Sequence, residues 1–167
     1  MKKFDTKRLA TLSILISVAM ILSYIESLIP PLVAVPGVKV GLSNIATVFA
    51  LYTLGAPAAV TVSVLRVLLS ALLFGNFVSL IYSISGAALA LVFMILLRRV
   101  GIFSSVGVST VGGVAHNAGQ IIAASIVMEN AAIALYLPPL IISGTLAGIG
   151  IGAAAGILVK KTEKYIR

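Results

Sequence analysis

The chain has 167 residues, 60% of them hydrophobic and 10% charged, with a mean hydropathy of +1.21. Soluble domains carry about 25% charged residues, so a soluble globule is excluded and one membrane-embedded domain is the class that remains. Cysteine is absent, which removes disulfides, thiolate metal sites and cysteine nucleophiles.

The net charge of +8 is explained by where the basic residues stand. Lys2, Lys3, Lys7 and Arg8 precede the first apolar run, which extends from Leu9 to Ile29. About 20 apolar residues cross the hydrocarbon core as a helix. This run is longer than the apolar region of a signal peptide, about 7–15 residues, and it runs into Glu26, so it reads as a retained helix. Ser13, Ser17, Ala19 and Ser23 give it a small-residue character suited to packing or docking. PPLVAVPGVKV follows, a non-helical loop by its Pro30, Pro31 and Pro36. The second span, Gly41 to Leu54, is shorter. Pro57 fits the first turn of the third span, Ala58 to Phe74, which Gly75-Asn76 closes. The fourth runs from Phe77 to Leu97 and stops at Arg98-Arg99. The fifth is Ile102 to Met128, and the sixth is Tyr136 to Val159. Gly144, Gly148, Gly152 and Gly156 line one face of that last helix, where small residues let backbones approach closely in lipid.

An all-α polytopic membrane protein with six transmembrane helices and both termini cytoplasmic satisfies the positive-inside rule. Residues 1–8, 98–99 and 160–167 then lie in the cytoplasm and hold ten of the twelve Lys and Arg residues. The basic groups are thereby accounted for without nucleic acid. A multi-pass protein of the cell membrane is the expectation.

Charged residues inside spans cost about 2.5–3.5 kcal/mol each on insertion scales, so those retained mark the candidate site. Glu26 lies near the outer end of the first helix. Arg66 stands roughly 12 Å into the third, at ~1.5 Å per residue. Asn44 is one turn inside the second. His116, Asn117 and Gln120 occupy the fifth, with His116 and Gln120 on one face and Asn117 about 100° round. All share the outer half of the bilayer, which predicts an outward-opening polar cavity. Lys39, in the loop ahead of the second helix, and Arg66 would bracket an anionic or strongly hydrogen-bonding ligand, since a helix N-terminus suits anions. The plainer alternative is an Arg66–Glu26 pair, amides bonded between helices and a Lys39 reaching the interface. One histidine and no cysteine supply too few soft ligands for a metal site, and no cofactor is implied.

ESLIPP (26–31), PGVKVGLSN (36–44), the arginine within VSVLRVLLSALLFGN (62–76), SLIYSISG (79–86) and SSVGVSTVGGVAHNAGQ (104–120) resemble the Gx transporter family. These small membrane proteins are also known as heptaprenyl diphosphate synthase component I. The chain is more distantly similar to the S components of energy-coupling factor transporters. That resemblance implies a six-helix S-component-like bundle, a small-molecule site near the outer face and a separate energising membrane module with ATPases as partner. S components dock through an alanine-x-x-x-alanine face on the first helix; Ser13-x-x-x-Ser17 holds the matching spacing here. No phosphate-binding loop is present, so any ATP use would fall to another subunit. The other family name implies a prenyltransferase or redox partner in polyprenyl diphosphate or quinone metabolism. Prenyl elongation needs magnesium held by clustered aspartates, because hard cations prefer carboxylate oxygens. The single aspartate, Asp5, points to a non-catalytic accessory subunit. Two functions are expected from these residues: the substrate-capturing component of an uptake transporter, or such an accessory subunit.

Overall fold

The computed structural model describes residues 6–29 and 41–166, with backbone alone from 163 onward. Lys39 and the three prolines of its loop lie outside the described residues. The described chain is all-helical, as its composition requires: α1 Thr6–Ser27, α2 Asn44–Thr53, α3 Ala56–Phe74, α4 Phe77–Val100, α5 Ser105–Val127, a 3-10 turn Ala131–Tyr136 and α6 Leu137–Ile166. Each boundary has a local cause. Pro57 sits in the first turn of α3, where its missing N–H would have had no partner. Asn76 caps α4, its side chain accepting the Ser79 N–H at 2.8 Å, and Ser104 does the same for α5 from the Gly107 N–H at 3.3 Å. Arg98 and Arg99 occupy the last turn of α4 rather than following it, where cations complement the helix dipole.

Among the described residues, four helical stretches are long and apolar enough to cross a membrane: Thr6–Ser27, Ala56–Phe74, Phe77–Val100 and Ala131–Thr162. α5 has similar length but carries polar residues along its whole course, and the neighbouring helices enclose it. Eleven of its residues are buried, His116, Asn117 and Gln120 among them. Glycines explain how closely it is held. On α6, a Cβ added at Gly148 would lie 2.6 Å from Thr110 Cα, and one at Gly152 would lie 2.6 Å from Val106 Cα. The four-residue glycine ladder is therefore a packing face against α5. On the opposite flank, a Cβ at Gly119 would lie 2.6 Å from the Ser85 carbonyl oxygen of α4.

α2 has only 10 residues, about 15 Å at ~1.5 Å per residue, half of a ~30 Å hydrocarbon core. Ala46 to Leu51 are buried without interruption, so protein surrounds this helix on every side. Its core partners include Leu15 and Ala19 of α1, Ala58, Ala59 and Val62 of α3, and Ile151 and Ala155 of α6. A second apolar cluster, Tyr82, Ile121, Ala123, Ala124, Ile133 and Leu140, joins α4, α5 and α6 beyond the level where α2 ends. Between them, where α2 is missing, the interior turns polar.

Candidate binding site

α2 and α3 form a hairpin about Gly55, so residues equally distant from it stand side by side. Asn44 and Arg66 are such a pair. Arg66 is buried; its Nη2 donates to Asn44 Oδ1 at 3.0 Å and its Nη1 to Ser43 Oγ at 2.9 Å. Ser43 holds the N-cap position of α2 but caps nothing with its side chain, because its hydroxyl accepts from Arg66 instead. The turn entering α2 starts at Gly41, whose N–H donates to the Glu26 carboxylate. Gly41 has φ +85°, and a Cβ there would lie 2.8 Å from Asn44 Nδ2, so both conformation and space require glycine. A carboxylate of α1 and a guanidinium of α3 thus hold the half-helix at its inner end.

These contacts explain how Arg66 is tolerated. Hydrogen bonds to a charged group contribute about 1.5–3 kcal/mol each, and two of them offset an insertion cost of about 2.5–3.5 kcal/mol. They leave its Nε buried with no hydrogen-bond partner among the described residues. Arg66 and Glu26 also line a cleft between α1, α3 and α4, together with Ser23, Ser70, Ser79, Ser83, Val67, Ala71 and Gly75. Its interior is about 20 Å³ at water-molecule centres, room for a water or one small polar group, since a single water needs about 10–15 Å³ on that measure. It runs from exposed Gly75, at the α3–α4 turn, down to buried Ser23 and Glu26.

The fifth-helix residues divide by neighbour. His116 and Gln120 pack on Gly86 of α4, where an added Cβ would lie 2.9 Å from Gln120 Cγ and 3.0 Å from His116 Cε1. His116 Nδ1 is buried without a hydrogen-bond partner among the described residues. Asn117 turns to the other flank, donating through Nδ2 to the Leu140 carbonyl of α6 at 2.7 Å. The structure therefore joins Asn44 and Arg66 directly, brings Glu26 to the same turn through Gly41 and to the same cleft as Arg66, sets His116 and Gln120 on the neighbouring α4–α5 contact, and places Asn117 between α5 and α6. Among the described residues no group of three or more His, Cys, Asp or Glu could hold a metal ion.

Ser23, Ser43, Ser70, Ser79 and Ser83 were not evident as site residues from composition. Their spacing does carry a signal. Ser70 is one helical turn beyond Arg66, Ser23 is three residues before Glu26, and Ser79 and Ser83 are four apart, all same-face spacings.

The sequence model of the family described as heptaprenyl diphosphate synthase component I matches residues 15–158. No curated protein and no solved structure matches the chain.

Proposed function

The chain belongs to the heptaprenyl diphosphate synthase component I family, and from that premise we propose that it is a membrane-embedded small-molecule-binding protein, the substrate-capturing component of an uptake transporter. In this reading the chain crosses the membrane six times with both termini in the cytoplasm, and its polar interior opens outward. Arg66 and Glu26 form the floor of the site, Asn44 holds Arg66 from below, and His116 and Gln120, from the neighbouring α4–α5 contact, and Lys39, from the loop ahead of α2, would complete it. Asn117 fixes α5 against α6. The observation that carries the reading is the cleft above the half-helix, where α1, α3 and α4 each contribute polar side chains. Anchoring α2 accounts for two amino groups of Arg66; it gives no reason for serine hydroxyls from three helices to face one hollow. Discontinuous helices whose N-termini end near mid-membrane are a recurrent way to build transporter sites. An energising module with ATPases would be the partner.

The test is mass spectrometry of compounds carried through purification. A bound small molecule is expected in the wild-type protein and at least tenfold less of it in Arg66→Ala and His116→Ala, an interaction loss of about 1.4 kcal/mol or more. A compound retained equally by both variants, or none in any preparation, refutes the proposal. A second reading, a non-catalytic accessory subunit in polyprenyl diphosphate or quinone metabolism, is favoured by the family's description as one component of a synthase. It is distinguished by copurification with a prenyltransferase or redox protein in place of an ATPase pair.

A further inference from the structure

The cleft is selective in the chemistry it offers. Arg66 is a pure donor, and its Nε, like Ser23 Oγ, is buried with no hydrogen-bond partner among the described residues. Among the described residues, Ser70 Oγ donates to the Met20 sulfur, at 3.8 Å, a weak acceptor. Ser79 and Ser83 contribute two more hydroxyls from one face of α4. Glu26 is the one carboxylate among the lining residues, and it accepts the Gly41 N–H. The guanidinium offers an N–H and each of the four hydroxyls can turn its O–H inward, while Glu26 is already engaged by the Gly41 N–H, an arrangement that can seat an anionic oxygen beside Arg66.

Size and rim narrow the ligand further. An interior of about 20 Å³ admits one functional group, so the remainder of any ligand lies outside it. The mouth at Gly75 is flanked in sequence by exposed Phe74 and Phe77, and Tyr24 of α1 packs on Phe74 with ring centroids 5.5 Å apart. An apolar body fits that aromatic rim; a polar one does not. Building on the binding role proposed above, we infer that the site takes an amphiphile with a single oxyanionic head, phosphate or carboxylate, seated between Arg66 and the hydroxyls of Ser23, Ser70, Ser79 and Ser83, its apolar body lying across Phe74 and Phe77.

The full chain in a maltoside detergent, free of other anions, is titrated with octyl phosphate, octanoate, inorganic phosphate and octyltrimethylammonium, and the thermal midpoint is followed. Octyl phosphate or octanoate is expected to raise the midpoint, the better of the two identifying the head. Inorganic phosphate should bind about tenfold more weakly or worse, and the Ser79→Ala/Ser83→Ala double variant should weaken the amphiphile about fivefold or more, both read from midpoint against concentration. These serines are half-buried, so the double variant retains its fold. Stabilisation by the ammonium amphiphile, equal binding of inorganic phosphate, or unchanged affinity in the double variant overturns the inference. If an uncharged compound copurifies and neither oxyanion binds, this inference falls while the capture reading stands. If nothing copurifies and neither oxyanion binds, both fall.

Discussion

Asn117 and His116 are adjacent in sequence and serve different ends. The Asn117 amide ties α5 to the Leu140 carbonyl at 2.7 Å, and Gly144 leaves it room, since a Cβ there would lie 2.8 Å from Asn117 Nδ2. Asn117→Ala should lower stability by about 1 kcal/mol, the scale of interhelical hydrogen bonds in membranes, and leave ligand retention unchanged; thermal denaturation and the mass-spectrometric assay read the two effects separately. The charged members of the cluster were legible in the sequence because any ionisable residue in an apolar run needs a cause. Which neighbour each would choose was not, since a helix carries His116 and Asn117 only about 100° apart and that angle faces different partners on different flanks. Serines were less visible still. A hydroxyl can bond to its own helix, as Ser13 does to the Leu9 carbonyl at 3.1 Å, so its presence in a span announces nothing until a cleft is seen beside it.

At the scale of the element, α5 is gripped on both flanks by contacts only glycine permits. Gly148→Ala should cost roughly 1–3 kcal/mol, because its methyl would meet the α5 backbone and force the helices apart, as overpacking does. Gly150→Ala is the control: nothing lies within 4 Å of a Cβ there, so its melting temperature should match the wild type. The periodicity of Gly144, Gly148, Gly152 and Gly156 made this face readable, and turn residues such as Gly55-Ala56-Pro57 and Gly75-Asn76 marked helix limits closely. The half-length of α2 was only partly readable. Gly41 to Leu54 is apolar enough to suggest a short span, but its helix starts later, at Asn44, where the tertiary pull of Arg66 on Ser43 and Asn44 sets the end.

For the whole molecule, the described basic residues Arg8 and Arg98 gather at one end of the bundle. Arg8 donates to the Leu54 carbonyl at 3.1 Å, and Arg98 lies 4.4 Å over the Tyr52 ring, so both reach the C-terminal end of α2. Ser105, beginning α5, meets Gly156 near the start of the basic tail. The cysteine-free chain allows sidedness to be measured without background. Under the positive-inside rule, Lys2→Cys and Lys164→Cys should react with an impermeant thiol reagent only from the cytoplasmic face, and Phe77→Cys and Glu129→Cys only from outside. Labelling of positions 2 and 164 from opposite faces would refute the six-crossing arrangement. The shortness of α2 also bears on biosynthesis. Ten residues that stop half-way through a bilayer would strand their leading N–H groups in hydrocarbon, where an unsatisfied group costs several kcal/mol. Such a segment has no stable existence of its own beside the translocon. In the six-crossing reading it should therefore enter with α3 as a preformed hairpin, the Arg66 contacts to Ser43 and Asn44 joined before lipid closes around them.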